Sequence, residues 1–350
     1  MKAMRLVEWG KPLQLVELPL PEVADVDVLV KVTACGVCHS DLHLADGYYD
    51  LGEGERIRVQ NRGVPLPLTL GHEVAGVIEA RGPTVHGLDK GDAVLVYPWI
   101  GCGGCKACKT GNDNLCMTPR SIGVYRDGGY AEYLHVPHYK FLLPLEGLPS
   151  EDAAPLACSG VTAYSALKKT RIMSDATLVI EGVGGLGSMA IQLAETITGA
   201  NVVAVDTDDA KLAYAKKLGA DQTLNPLKTN LVDDVKTLTD GRGADAVIDF
   251  VGSSNTAEAA FNMLTRGGRM VSVGLFGGVL KIPIPFLPFR ATEIIGNYTG
   301  SLGDLMELVS LAKRGIVKSI VSTSFRLTEA NDALDTLRHG AIEGRAVLRL

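Results

Sequence analysis

Between residues 176 and 206 the chain reads strand, glycine turn, helix, strand, and few folds accommodate that order. The segment 176–182 (ATLVIEG) is a short apolar strand, and it runs straight into Gly182-Val183-Gly184-Gly185-Leu186-Gly187. A G-x-G-x-x-G match alone is weak in a chain with 40 glycines. Its position gives it weight, because it follows a strand, opens a helix at 188–197, and precedes a second strand at 201–206 that closes on Asp206. In such a turn the first glycine permits the bend, the second lets backbone approach a pyrophosphate, and the third lets helix and strand pack closely. The helix N-terminus then turns its partial positive charge toward the phosphates. A carboxylate at Asp206 suits ribose hydroxyls and would repel a 2′-phosphate. Thr207, Asp208 and Asp209 add no cation, so NAD is expected over NADP.

The same grammar continues beyond that point. A helix is expected at 208–219, strands at 244–251 and 268–274, and a helix at 255–265 between them. Strands alternating with helices of this length give a doubly wound parallel sheet. Residues 1 to about 155 read differently, as short strands such as 28–33, 74–79 and 93–96 broken by Gly, Pro and Asp. The segment 47–67 lacks periodicity and reads as a surface excursion. After 295, amphipathic helices at 302–314 and 328–339 lead to a closing strand at 345–350. With 350 residues, two domains are the default. The expectation is an α/β chain with a β-rich domain from residues 1–159 and 295–350 and a dinucleotide-binding domain from 160–294.

Composition excludes several roles. A net charge of -6 argues against nucleic acid or an anionic membrane as partner. No apolar run approaches the ~18 residues of a spanning helix, and MKAMRLVEWG is not a signal peptide. A cytoplasmic location is therefore expected. In a reducing compartment, clustered thiols are metal ligands more often than disulfides.

Six of the seven cysteines fall into two metal-ligand patterns. Cys102, Cys105, Cys108 and Cys116 are spaced C-x2-C-x2-C-x7-C, which suits a closed tetrahedral zinc that holds structure. Cys38 and Cys158 stand far apart, with His72 between them in sequence. Two thiolates and one imidazole leave a fourth position open, as a catalytic zinc requires. Glu73 beside His72 suits a supporting carboxylate or an occasional ligand. Singly, His72 reads as a structural histidine and Cys158 as a small core residue; together with Cys38 and the glycine turn they carry more weight. Cys35 is left as a packed thiol.

These segments together, G-V-C-H-S-D-L-H, G-H-E, the four-cysteine loop, A-P-L-A-C-S-G, G-V-G-G-L-G and the terminal G-R-A-V-L, resemble the zinc-dependent alcohol dehydrogenases of the medium-chain dehydrogenase/reductase superfamily. The likeness spans the whole chain and is nearest to prokaryotic, thermophilic NAD-dependent members. It implies a GroES-like catalytic domain joined to a Rossmann domain, two zinc ions per chain, and reversible oxidation of an alcohol to an aldehyde or ketone. On that resemblance Cys38, His72 and Cys158 hold the catalytic zinc, and Ser40 and His43 form a proton relay by way of the nicotinamide ribose. Asp41 supports the ligands. His39 stands where relatives often carry arginine, implying a weaker, pH-sensitive pyrophosphate contact. Thr162 corresponds to a nicotinamide-side residue, Lys211 to an adenosine-ribose neighbour, and Arg345 to a pyrophosphate contact. Gly182, Gly184, Gly185, Leu186, Gly187 and Asp206 complete the cofactor set. Trp99 and Ile122 fall where relatives line the substrate cleft, with ordinary core packing as the alternative. The apolar run 279–289 suits a subunit contact, and the family implies a homo-oligomer, a tetramer more than a dimer. Competing readings are a polyol or amino-alcohol dehydrogenase, a zinc-free NADPH reductase, and a non-enzymatic zinc and dinucleotide binder. Cys38, His72, Cys158 and Asp206 argue against the reductase.

Overall fold

A computed structural model describes all 350 residues, which divide into two compact units. The first comprises Met1–Tyr48, Arg58–Val161 and Gly300–Leu350. Its centre is a seven-stranded sheet in which Val28–Val37 pairs antiparallel with Glu73–Arg81, Tyr133–Val136 and Arg345–Arg349. Val28–Val37 is buried except at Lys31 and Thr33, as its predominance of Val, Leu, Ala and Cys suits a strand covered on both faces. Register fixes the site. Gly36 lies opposite both Glu73 and Val347, and Val37 opposite Ala346. Cys38, Glu73 and Arg345 therefore emerge at one end of three adjacent strands.

The second unit comprises Tyr49–Ile57 and Thr162–Thr299. Six strands lie parallel. Taken in chain order they are Thr177–Glu181, Asn201–Val205, Gln222–Leu224, Ala244–Asp249, Leu264–Ser272 and Glu293–Gly296, and across the sheet they run 3-2-1-4-5-6. Val179, Val203, Val205, Val247 and Met270 form its buried core with Val235 and Ala260 from the covering helices. Helix ends follow local chemistry. The Asp208 carboxylate accepts from Ala210 N to start Asp209–Leu218, and Gly219, at φ 112°, ends it.

Two segments depart from expectation. Residues 47–67, expected as an irregular excursion, contain strands Tyr48–Gly52 and Glu55–Arg58 paired with each other. Tyr49–Ile57 of this hairpin belongs to the second unit, where Gly52 lies against the Gly278 backbone and Lys281 Nζ donates to Glu53 at 2.5 Å. Its exposed Glu55–Arg58 strand shows no inward alternation, so no apolar periodicity announces it. The helix Leu231–Leu238 is likewise additional to the expected elements. No helix is long and apolar enough to cross a membrane.

Candidate active site and metal centres

In the first unit Cys38, His72, Glu73 and Cys158 are all buried, and one ligand atom from each lies within 4.8 Å of the others. Cys38 precedes the helix His39–Asp46, a position that favours a thiolate. Cys158 breaks the chain between the short helix Ala154–Ala157 and the helix Ser159–Thr170. Asp41 organises the group. Its Oδ2 accepts from Cys38 N at 3.0 Å and from the Tyr130 hydroxyl at 3.1 Å. Its Oδ1 accepts from Gly71 N at 3.2 Å and stands 3.3 Å from His72 Nδ1. A carboxylate there keeps the proton on Nδ1 and leaves Nε2 as the free lone pair. Nε2 is buried and has no hydrogen-bond partner.

The buried thiols, imidazole and carboxyl of this site shift one another's protonation. The neighbouring Cys158 thiol, then the His72 imidazole, hold Cys38 well below the usual thiol range against the opposing effect of burial. Cys158 is pushed up by Cys38 and by burial. Burial disfavours a charged His72, yet Asp41 and Cys38 outweigh it and raise the imidazole well above its ordinary value. Burial lifts Glu73 to about 7, with Arg345 opposing. Two sulfurs, an unpartnered imidazole and a carboxylate, all buried, match the donor set of zinc.

Arg345, expected at the cofactor's pyrophosphate, is 5% exposed and its guanidinium bonds Glu73 Oε1. Glu73 Oε2 remains unpartnered. A Cβ at Gly36 would run into that oxygen, so only glycine on the neighbouring strand leaves room for the carboxylate. Trp99 borders the cluster: its ring centroid is 5.3 Å from that of His72, and Nε1 donates to Ala157 O at 3.0 Å. Ile122 is fully buried. Ser40 and His43 sit half-buried one turn apart on the helix after Cys38. Burial, then the neighbouring His39, lower the pKa of His43. Cys35 is a buried thiol that burial keeps protonated.

The second group is the thiol loop. Cys102, Cys105, Cys108 and Cys116 form no disulfide, and their sulfurs lie within 4.8 Å of one another. The Cys105 sulfur is 3.5 Å from that of Cys108 and 3.8 Å from that of Cys116. A tetrahedron of ~2.3 Å zinc–sulfur bonds has edges of about 3.8 Å. Backbone N–H donation from Gly104, with Thr118 and Cys105, brings Cys102 down to about 6. Burial pushes Cys108 up to about 12. Four thiolates cannot coexist there without a metal.

In the second unit the glycine turn takes the expected form. Gly182 has φ 91°, a Cβ on Gly187 would strike Gly182 O, and a Cβ on Gly184 would meet nothing within 4 Å. That open face at the start of the helix Gly185–Thr198, beside Leu186, suits a pyrophosphate. Asp206 braces the turn, its Oδ2 accepting from Val183 N at 2.8 Å and its Oδ1 from Asp208 N at 3.0 Å. Lys211 lies half-buried on the next helix. Thr162 is buried, and its carbonyl accepts from Asn297 Nδ2 at 3.2 Å. Sequence reasoning misses Tyr130 and the Arg345–Glu73 pair as site partners; Arg345 is 272 residues from Glu73, and no local pattern links them.

Comparison with known proteins agrees with this arrangement. Residues 24–147 match the family described as alcohol dehydrogenase GroES-like domain, and 185–314 match zinc-binding dehydrogenase. An NAD-dependent alcohol dehydrogenase of Sulfurisphaera tokodaii is 45% identical over 99% of each chain. An alcohol dehydrogenase of Geobacillus stearothermophilus is 40% identical over the full length of both. The crystal structure of the alcohol dehydrogenase from Aeropyrum pernix superposes with a TM-score of 0.89 at 37% identity, covering all of both chains. A cobalt- and zinc-bound thermostable alcohol dehydrogenase from Pyrobaculum aerophilum has a TM-score of 0.86 at 29% identity, covering 100% of this chain and 99% of its own.

Proposed function

The chain belongs to the zinc-binding alcohol dehydrogenases, and from that premise we propose that it transfers hydride reversibly between an apolar alcohol and NAD, giving an aldehyde or ketone. The buried Cys38, His72, Glu73 and Cys158 cluster, with the orphaned Nε2 of His72, carries this reading. Cys38, His72 and Cys158 would hold one zinc, with Glu73 in reserve, and Cys102, Cys105, Cys108 and Cys116 another. When bound at the first site, zinc supplies a Lewis acid that lowers the pKa of an alcohol hydroxyl, and NAD supplies the hydride acceptor.

The chain's own residues do the rest. Asp41 fixes the His72 tautomer through Nδ1. Ser40 takes the substrate proton and His43 passes it to solvent; a His43 kept neutral by burial can accept it. Trp99, packed on His72, offers an apolar wall and so favours hydrophobic substrates. The Gly182–Gly187 turn with Asp206 would seat NAD, aided by Thr162 and Lys211. We assign the first unit as the catalytic domain and the second as the cofactor domain, in a cytoplasmic homo-oligomer, most simply a tetramer. Exposed Ile284, Phe286 and Phe289 beside the edge strand Glu293–Gly296 support such a contact.

The test is an absorbance screen for NADH across primary, secondary and polyhydric alcohols, repeated with NADP. Turnover of apolar alcohols with NAD supports the reading. Turnover confined to polyols, or a preference for NADP, overturns the substrate or cofactor assignment respectively.

A further inference from the structure

Glu181 ends the first strand of the parallel sheet, directly before Gly182. It is 2% exposed, and its Oε2 has no hydrogen-bond partner. The strand needs no such residue, since its other positions are Thr, Leu, Val and Ile. In register, Glu181 lies beside Asp249, the last residue of Ala244–Asp249. Two buried carboxyls therefore share the C-terminal ends of neighbouring strands. Asp249 is well supplied with donors: Oδ1 accepts from Val251 N at 2.9 Å and Gly252 N at 2.8 Å, and Oδ2 from Thr256 Oγ1 at 3.0 Å. Donors stabilise an ionised carboxylate, so in this pair Asp249 holds the charge and Glu181 the proton. Burial, then Asp249, raise Glu181 well above the ordinary carboxylate range.

Topology gives the pair its importance. With strand order 3-2-1-4-5-6, the chain reverses direction of winding between the first and fourth strands. Dinucleotides bind at that crevice, outside the carboxyl ends of those strands. Glu181 and Asp249 are those ends. In register Glu181 lies between Asp249 and Val205, the residue before Asp206, and the charged group that acts on it is the acidic Asp249. From the packed helices, Gly185–Thr198 brings its backbone amides and Ser254–Met263 its Thr256 hydroxyl, and no cation offsets Glu181. A second negative charge would stand directly beneath the turn that has to meet a pyrophosphate.

We infer that Glu181 is a titratable group in the floor of the dinucleotide crevice that leaves cofactor binding undisturbed while neutral, and that its ionisation weakens cofactor binding by charging the floor beneath the Gly182–Gly187 turn. This rests on the NAD reading above. The test is fluorescence titration of NADH into the intact zinc-loaded protein between pH 6 and 10, with Glu181→Gln and Glu181→Val alongside. In the wild type Kd rises about tenfold or more as Glu181 loses its proton. In both variants, which have no proton to lose there, that rise is absent and affinity stays near the wild-type value at low pH. Melting temperature supplies a second readout. Because the folded-state pKa is raised, the stabilisation is full below the ordinary carboxylate range and lost as pH climbs through the raised value. The wild type therefore loses more stability than the glutamine variant on the alkaline side. A wild-type Kd that is flat with pH, or parallel curves for wild type and both variants, overturns the inference. Failure of the wild type to bind NADH at any pH instead overturns the cofactor reading.

Discussion

Asp41→Asn separates the two metal centres. The aspartate is fully buried and receives Cys38 N, the Tyr130 hydroxyl and Gly71 N, while facing His72 Nδ1. An asparagine is nearly isosteric but offers one oxygen in place of two. If that oxygen stays toward His72, its NH2 faces the Cys38 amide. The Tyr130 hydroxyl can turn and accept, but the Cys38 N–H cannot, and one buried unsatisfied donor costs ~1–3 kcal/mol. If the amide flips, its NH2 opposes His72 Nδ1 and drives the ring proton to Nε2, the nitrogen needed for metal. Either orientation weakens the site, and losing such a supporting partner typically lowers metal affinity ~10–100-fold. Titration with a chromophoric chelator gives the readout. The variant should release one of its two zinc ions at ~10–100-fold lower chelator strength than the wild type, while the other, held by Cys102, Cys105, Cys108 and Cys116, leaves as in the wild type. Identical two-step release in both proteins would refute the role given to Asp41.

Three further outcomes are expected. Replacing Cys102 with serine should remove the second zinc and lower the melting temperature by roughly 3–4 °C, the shift that ~2–3 kcal/mol produces in a chain of this length; unchanged melting would show that the loop holds no structural metal. Asp206→Ala should narrow the preference for NAD over NADP, measured as a ratio of kcat/KM values, because the carboxylate that repels a 2′-phosphate is gone; an unchanged ratio counts against its assignment. For alcohol oxidation His43 must be neutral to accept a proton, so the rate should fall as pH drops through a value below the ordinary ~6.5. His39→Gln removes a neighbouring charge that lowers His43, so that limb of the pH–rate profile should move to higher pH; no movement would exclude His43 as the group observed.

The glycine turn and the strand–helix alternation around it are legible in the sequence because they are local: each glycine and cap acts on neighbours within a few residues. The thiol loop is legible for the same reason, its four sulfurs lying within one short stretch. Cys38, His72 and Cys158 can be found only as a set, because each alone is an ordinary buried residue. What the sequence hides depends on register. Arg345 meets Glu73 because three strands align at Gly36, and nothing near residue 345 announces a carboxylate partner. Tyr130 reaches Asp41 across 89 positions. Glu181 is one letter in an apolar strand until the sheet order places it beside Asp249. The Tyr48–Gly52 and Glu55–Arg58 hairpin escapes because its exposed residues carry no periodicity.

The division of labour between the two thiol groups is tested most directly by counting zinc and turnover together in Cys38→Ala. The expected result is two zinc ions per chain in the wild type, one in the variant, no detectable NADH formation from any alcohol, and a melting temperature close to that of the wild type. A variant that keeps both zinc ions, or that still oxidises alcohols at near-normal rates after its metal is removed, would contradict a catalytic zinc at Cys38, His72 and Cys158.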